Sequence, residues 1–157
     1  MSGVPKAGAR APGFTLPSDQ GGEVSLAGLR GTPVVLYFYP KDDTSGCTTQ
    51  ACEFRDRWAD VQAAGAVVLG VSPDPVKSHA RFRKKYGLPF PLLADTDHAV
   101  AEAYGVWGEK SMFGRKYQGI HRTTFLIGAD GRIRKVFEKV KPEGHAAEVL
   151  AALAETP

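Results

Sequence analysis

The first half of the chain alternates between two hydrophobic patterns, one typical of buried strands and one typical of helices. Residues 34–39 are continuously apolar, β-branched and aromatic, which predicts a strand buried on both faces. After the mostly polar residues 41–46, apolar side chains recur at helical spacing until Gly65, a residue type that often ends a helix. Residues 66–71 predict a second buried strand, and residues 75–87 a second helix. This order of elements indicates parallel βαβ units.

The order of elements changes in the second half of the chain. Residues 92–94 predict a short strand, and Asp97 is placed to cap a helix that ends at Gly105. Residues 122–127 and 132–140 predict two strands joined by a tight turn, which is the pattern of an antiparallel hairpin. An amphipathic pattern over residues 143–153 predicts a final helix.

Two further segments complete the predicted fold. Residues 14–16 and 23–26 alternate apolar and polar side chains around a Gly-containing turn, which predicts a small hairpin. Residues 106–119 show no clear period and are interpreted as a functional surface loop or an irregular one. The whole pattern predicts one α/β domain over residues 1–157 with a thioredoxin-like fold: a central mixed sheet flanked by helices, preceded by the small N-terminal hairpin.

Composition and charge limit the class of protein. At 157 residues and 43% hydrophobic content, the chain can bury a core without disulfides. Its amino terminus has no continuous apolar segment, and no stretch approaches the ~18 apolar residues of a membrane span, so we expect a soluble, cytoplasmic protein with no membrane contact. The 20 basic and 17 acidic residues are interspersed. The densest basic run, residues 81–85, is typical of a solvated helix face rather than a nucleic-acid site.

The chain has only two cysteines, Cys47 and Cys52. Cys47 stands where the loop enters the first predicted helix, and the unpaired N–H groups and dipole of a helix start favour a thiolate. Five residues along an ideal helix separate two Cα atoms by roughly 8.6 Å, whereas a disulfide spans ~4.4–6.8 Å. If both cysteines lie on one helix, they can bond only after that helix unwinds. This is the behaviour of a catalytic disulfide, so Cys47 is the candidate nucleophile.

Three residues are candidates for supporting the reactivity of the Cys47 thiol. A helix terminus contributes only about 0.3–1 kcal/mol, or ~2 when partly buried, so a second positive group is expected. Arg122, at the start of the strand over residues 122–127, is the best candidate because a guanidinium stays charged. The Thr44 hydroxyl is placed to reach the sulfur or a substrate oxygen, or to make an N-cap or loop hydrogen bond, and the sequence leaves both open. Pro40 is expected to end the strand and to shield the thiolate from solvent.

The pattern Pro40-x-x-x-Thr44-x-x-Cys47 resembles the peroxiredoxin active-site motif. The wider run YFYPKDDTSGCTTQAC over residues 37–52 resembles the bacterioferritin-comigratory, or Q-type, subfamily, and so do residues 105–110 and 119–127. Three separated segments in the same order are far more specific than the short motif. One residue departs from the subfamily: Ser45 stands where proline is common, which removes a φ constraint that favours a helix start.

The resemblance implies a thioredoxin-dependent peroxidase of the atypical 2-Cys type. It makes Cys47 the peroxidatic and Cys52 the resolving cysteine, assigns peroxide binding and polarisation to Thr44 and Arg122, and gives Pro40 the role of screening the pocket. Hydrogen peroxide and organic hydroperoxides would be reduced through a sulfenic acid and an intramolecular disulfide, with thioredoxin or a related dithiol protein as reductant. The implied chemistry requires no metal or organic cofactor. Both thiols belong to one chain, so we expect a monomer.

The sequence leaves two other functions open. A thioredoxin-like disulfide oxidoreductase normally uses Cys-x-x-Cys, whereas four residues separate the two cysteines here. A non-catalytic redox sensor would use the same disulfide to switch partner binding, but no partner-binding feature is evident in the sequence. Metal binding is disfavoured because the four histidines are scattered without ligand spacing.

Overall fold

The chain folds around a five-stranded sheet in a computed structural model that describes residues 3–155. Its strands are β1 (Thr15–Pro17), β2 (Glu23–Ser25), β3 (Val34–Phe38), β4 (Val67–Ser72), β5 (Leu92–Ala94), β6 (Trp107–Met112), β7 (Arg115–Ile120), β8 (Thr123–Ile127) and β9 (Ile133–Phe137). Its α-helices are α1 (Ser45–Asp56), α2 (Trp58–Ala63), α3 (Val76–Tyr86), α4 (Ala99–Ala103) and α5 (His145–Ala154), and a short 3-10 helix spans Ala27–Leu29.

The central sheet is mixed, with the strand order β5-β4-β3-β8-β9. Strands β3, β4 and β5 are parallel, and β8 and β9 join antiparallel. Every residue of β3 is buried because the strand lies between β4 and β8 and is covered on both faces. The predicted thioredoxin-like architecture and the small N-terminal hairpin, β1 with β2, are confirmed.

Alternate residues of β3 enter two different hydrophobic cores. Val35 and Tyr37 pack with the buried faces of α1, α2, α3 and α5. Val34, Leu36 and Phe38 pack on the opposite face with α4 and the N-terminal segment. The two cores cover the faces of the sheet and leave the carboxyl ends of its parallel strands at one edge. The loop that follows the carboxyl end of β3 leads into α1. Within residues 3–155, no helix is long and apolar enough to cross a membrane.

The segment over residues 106–119 is not an irregular loop, and that prediction was wrong. It forms an antiparallel hairpin of β6 and β7 that is separate from the central sheet. Phe113 and Gly114 both have positive φ, 53° and 78°, and make its tight turn. Most of the hairpin's residues are partly or fully exposed, Phe113 at 97%, so the sequence carries no apolar-polar alternation to reveal two strands.

Several predicted boundaries also needed correction. The helix expected to continue to Gly65 is interrupted at Arg57, where ψ changes to 20° and α1 gives way to α2. The last strand ends at Phe137 rather than at residue 140, and α5 begins after Gly144, whose φ is 79°. Asp97 accepts one hydrogen bond at the start of α4, from Ala99 at 3.2 Å, while the buried Asp95 accepts two, from Val100 and Ala101.

Candidate active site

Cys47 lies in the first turn of α1, three residues after the N-cap residue Thr44. The first hydrogen bond of the helix runs from Thr48 N to Thr44 O at 2.8 Å, so the N–H groups of residues 45–47 precede the helical ladder. Cys47 is 1% exposed, and its thiol therefore sits in a dry environment beside the positive end of a 12-residue helix. Burial alone disfavours a charged thiolate, whereas the helix start favours it, so a nearby positive charge is needed to offset the burial.

Arg122 supplies that positive charge. It directly precedes β8, which pairs antiparallel with β3 so that Thr123 lies opposite Phe38, and the start of β8 is therefore next to the loop that enters α1. The Arg122 Nη2 donates to Cys47 Sγ at 3.3 Å. The structure thus brings together the two side chains that the sequence predicted to meet.

The backbone at Gly46 allows this close approach. A Cβ at that position would lie 3.1 Å from Pro142 Cγ and 3.2 Å from Arg122 Nη2, both closer than ordinary contact. The guanidinium and the Pro142 ring therefore pack directly against the main chain just before Cys47. A side chain at residue 46 would require the Pro142 ring or the Arg122 guanidinium to shift by a few tenths of an ångström.

Cys52 lies farther along the same helix, half-buried, and both thiols are free. Because α1 is continuous from Ser45 to Asp56, the two Cα atoms are held at roughly helical separation, ~8.6 Å. Burial raises the pKa of the Cys52 thiol, Arg55 acts to lower it, and Asp56 adds to the rise. In this conformation Cys52 is held as a protonated thiol away from Cys47.

Thr44 and Pro40 occupy the loop between β3 and α1. The Thr44 hydroxyl donates to the Lys41 carbonyl at 2.8 Å, which is the loop hydrogen bond of the two alternatives left open by the sequence. Thr44 is exposed, and its oxygen keeps lone pairs to accept a further hydrogen bond. Pro40 is half-buried, two residues beyond the end of β3.

Two buried polar side chains at the site were missed by the sequence reasoning. The Gln50 Oε1 accepts from Arg122 Nη1 at 2.7 Å, so the two ends of the guanidinium fork contact Gln50 and Cys47. Among the described residues, Gln50 Nε2 and Tyr37 Oη are the buried side-chain N or O atoms that have no hydrogen-bond partner. Burial raises the pKa of Tyr37 well above its usual value, with a further rise from Cys47 and Asp42, so the phenol stays protonated. The i, i+3 spacing of Cys47 and Gln50 was the one available signal.

A second positive group faces the site from the β6–β7 hairpin. The Lys110 Nζ donates to the Ile120 carbonyl at 2.8 Å. Burial lowers the pKa of Lys110 and the charge of Arg122 lowers it further, while Cys47 acts in the opposite direction. Lys110 therefore lies close enough to interact electrostatically with both Arg122 and Cys47.

One cluster near the site has side chains of the types that bind metals. Atoms of Asp42, Asp74 and His79 lie within 4.8 Å of one another. Both ring nitrogens of His79 already have acceptors, Asp42 Oδ2 at 2.7 Å and the Leu93 carbonyl at 2.9 Å. The arrangement is therefore a hydrogen-bond network that offers no free nitrogen to a metal.

Comparisons with known proteins agree with this geometry. Residues 7–136 match the model of the AhpC/TSA family. The "Putative peroxiredoxin bcp" of Coxiella burnetii is 57% identical over 146 residues, which are 93% of this chain and 97% of that protein. A solved Xanthomonas campestris peroxiredoxin Q mutant has a TM-score of 0.89 at 41% identity, covering 96% of this chain and 99% of the other. A second Xanthomonas campestris structure, of a bacterioferritin comigratory protein studied for its alkyl peroxide reduction activity, has a TM-score of 0.88 at 40% identity, covering 99% and 98%.

A thioredoxin-like fold with a buried thiol at a helix start beside an arginine defines a cysteine-dependent redox enzyme. The family match and the close relatives then specify which one. The chain belongs to the AhpC/TSA family, among the Bcp or Q-type peroxiredoxins, which are thiol peroxidases. The predicted family and enzyme class are confirmed.

Proposed function

We propose that Cys47 is the peroxidatic cysteine of this enzyme. Its thiolate attacks the terminal oxygen of the peroxide, the O–O bond breaks, and the other oxygen leaves with a proton as water or an alcohol. The sulfur is oxidised to a sulfenic acid. The observation that carries this proposal is the 3.3 Å contact from Arg122 Nη2 to Cys47 Sγ at the start of α1.

Arg122 and Thr44 are proposed to bind the peroxide. The guanidinium fork, held by Gln50, donates to the negative charge that develops on the breaking O–O bond, and it does so without reorganising. The Thr44 hydroxyl donates a hydrogen bond to the Lys41 carbonyl, so its oxygen lone pairs are available to accept a hydrogen bond from the O–H of the incoming peroxide. Pro40 lines the approach and limits access of water to the thiolate.

Cys52 is proposed to be the resolving cysteine. Its sulfur attacks the sulfenic sulfur of Cys47, an S–S bond forms, and the sulfenic hydroxyl leaves as water. Since α1 keeps the two cysteines outside bonding range, the first turns of the helix must unwind before this step. Two electrons from a dithiol protein, thioredoxin or a related one, then restore both thiols.

The cellular setting is also a proposal. We infer that the chain acts as a single-domain monomer, because both cysteines lie in one helix and turnover needs no second subunit. We also infer that it acts in the cytoplasm, where thiols are kept reduced and close cysteine pairs are more often catalytic than structural. Organic hydroperoxides are included among the substrates because a relative covering nearly the whole chain is described by its alkyl peroxide reduction activity. No metal or organic cofactor enters any step.

The proposal is tested by comparing Cys47→Ser and Cys52→Ser with the parent protein. In an NADPH assay with thioredoxin and its reductase, the parent is expected to turn over hydrogen peroxide and an alkyl hydroperoxide. The Cys52→Ser protein is expected to consume one equivalent of peroxide and to hold a sulfenic acid that mass spectrometry detects after dimedone labelling. The Cys47→Ser protein is expected to consume none.

Two results would contradict the proposal. Turnover by Cys47→Ser at the parent rate would remove Cys47 from its role. Slow stoichiometric oxidation of the parent, without turnover, would favour a redox sensor instead. The disulfide is located by non-reducing peptide mapping, which should give one peptide that contains both cysteines and is lighter by two hydrogen atoms than its reduced form.

A further inference from the structure

A buried hydrogen-bond network lies beneath the loop that precedes α1, and no step above uses it. Its centre is the Asp42 carboxylate, whose side chain is 4% exposed. Asp42 makes three hydrogen bonds: it accepts from Tyr39 Oη at 2.6 Å and from Ser78 Oγ at 2.7 Å, and it shares a hydrogen bond with His79 Nδ1 at 2.7 Å. Asp42 therefore connects the end of β3 to the first turns of α3.

His79 makes hydrogen bonds through both of its ring nitrogens. Its side chain is fully buried, and its second ring nitrogen, Nε2, donates to the Leu93 carbonyl at 2.9 Å. A neutral imidazole has a single N–H and cannot donate to both acceptors. If Nε2 donates to the Leu93 carbonyl, the second contact is made only when a proton also lies between Nδ1 and Asp42 Oδ2, carried by either of these two atoms. Either way, one proton is shared between His79 and Asp42, and removing the imidazole leaves a buried carboxylate without that partner.

The same loop is attached to α3 at a second point. Asp43 accepts from Lys85 Nζ at 2.8 Å and from Tyr86 Oη at 2.7 Å, near the end of α3. Its φ is 59°, a left-handed conformation that is uncommon for L residues and that aspartate tolerates better than most. The Asp42 N–H is held as well, by Asp74 Oδ2 at 2.8 Å. The backbone is thus fixed as far as Asp43, directly before Thr44.

We propose that His79 is a positioning residue for the peroxide-reducing step: through Asp42 it fixes the loop that sets Thr44 and Cys47 against Arg122. This inference rests on the proposed function of Cys47. The Arg122 contact to sulfur is a single hydrogen bond, and it depends on where α1 begins. Displacement of reacting groups by about 1 Å can reduce a rate about 100-fold. The segment free to move for disulfide formation then begins at Thr44.

The test compares His79→Ala with His79→Asn in the Cys52→Ser protein, so that only the first oxidation is observed. The amide nitrogen of Asn lies close to the position of His Nδ1 and restores a donor to Asp42. His79→Ala is expected to lower the second-order rate constant for hydrogen peroxide, measured by stopped-flow competition, by about 10- to 100-fold. His79→Asn is expected to recover to within about threefold of the parent.

A destabilised control separates positioning from loss of stability. Ile133 is buried in the core on the other face of the sheet. Ile133→Ala is expected to lower the melting temperature and leave the rate constant unchanged. Equal slowing by Ile133→Ala, a parent-like rate for His79→Ala, or a rate for His79→Asn as low as that for His79→Ala would each overturn the inference.

Two further measurements distinguish failure of this inference from a folding defect and from failure of the proposed function. If His79→Ala does not fold, Ser78→Ala, which removes one donor to Asp42, is expected to slow the same step by about fivefold, and an unchanged rate overturns the inference. If the Cys52→Ser protein itself fails to react with peroxide while Cys47 is intact and reduced, the proposed function fails first. The two failures are therefore distinguishable.

Discussion

Both carboxylate oxygens of Glu53 accept a hydrogen bond from the backbone N–H of Gly144, at 2.9 and 3.2 Å. Glu53 follows Cys52 in α1, and Gly144 is the N-cap residue of α5. A carboxylate at a helix start is stabilised by the helix dipole as well as by the hydrogen bonds. The part of α1 that carries the second thiol is therefore tied to another helix, and unwinding through that turn must break the contact.

The first prediction is that Glu53→Ala accelerates disulfide formation. Loss of a contact worth about 1 kcal/mol favours the unwound form about fivefold. The melting temperature is expected to fall by about 2–4 °C. The rate is measured by mixing reduced protein with peroxide, quenching by alkylation at timed intervals and counting free thiols by mass spectrometry. Asp60→Asn, on an exposed position of α2, is the control, and disulfide formation no faster in Glu53→Ala than in this control would contradict the prediction.

The parts of the site that sequence could predict are those set by local pattern. The start of α1 follows from a polar, Gly-containing loop after a buried strand, and that places Cys47 in the first turn. Arg122 was predicted to supply the second positive group from the start of its strand, and the antiparallel pairing of β8 with β3 places that start beside the loop that enters α1.

The parts that could not be predicted depend on contacts between residues far apart in sequence. Gln50 meets Arg122 across 72 positions, and Glu53 meets Gly144 across 91. The interruption at Arg57 was hidden because apolar side chains keep helical spacing on both sides of it. No local signal distinguishes a buried Asp42 from the exposed Asp43 beside it, since their difference arises from how α3 packs on the loop.

The second prediction concerns the two charges that act on Cys52. Arg55 lowers the pKa of this thiol and Asp56 raises it, while burial raises it most. In a Cys47→Ser protein, alkylation at a fixed pH below the pKa of Cys52 follows its thiolate fraction. Arg55→Gln is expected to slow iodoacetamide labelling, and Asp56→Asn to accelerate it, each by about two- to threefold. Because its pKa is raised, the labelling rate of the Cys52 thiol should reach half its maximum above pH 9.0, the ordinary pKa of a cysteine thiol. A shift of both variants in the same direction would contradict the assignment.

The third prediction links His145 to acid sensitivity. Burial lowers the pKa of His145 below its ordinary value of 6.5, and the hydrogen bond with Glu148 opposes this shift. The unfolded chain therefore binds a proton near pH 6.5 that the folded chain does not yet bind. Stability that is fully present above pH 6.5 is lost as the pH falls toward the folded-state pKa. Urea unfolding at pH 7.5 and 5.5 measures this loss.

His145→Gln isolates the contribution of that one group. The glutamine amide can replace the contact between His145 Nε2 and Thr124 Oγ1, which is 2.8 Å long, and it does not titrate. The parent is expected to lose more stability than His145→Gln between the two pH values. Equal losses in the two proteins would show that other groups cause the acid sensitivity.

The last prediction concerns Ser45, where the subfamily commonly has proline. Ser45 is the first residue of α1, a position at which proline fits because its missing N–H has no helical acceptor. Thr44 has φ −90° and ψ 159°, which is the extended conformation that a following proline requires. Ser45→Pro is therefore expected to stabilise the helical form by about 0.4–1 kcal/mol, because it restricts the unwound chain.

This stabilisation has a kinetic cost for the second step. Unwinding becomes less favourable, so disulfide formation in Ser45→Pro is expected to slow by about two- to fivefold, and more Cys47 should reach the sulfinic acid at high peroxide. Thermal unfolding and mass spectrometry of the oxidised protein measure the two effects. Ser45→Ala, which adds no φ restriction, is the control. Because Ser45 and Glu53 lie at different ends of the segment that unwinds, Ser45→Pro and Glu53→Ala should change the rate in opposite directions and nearly cancel when combined.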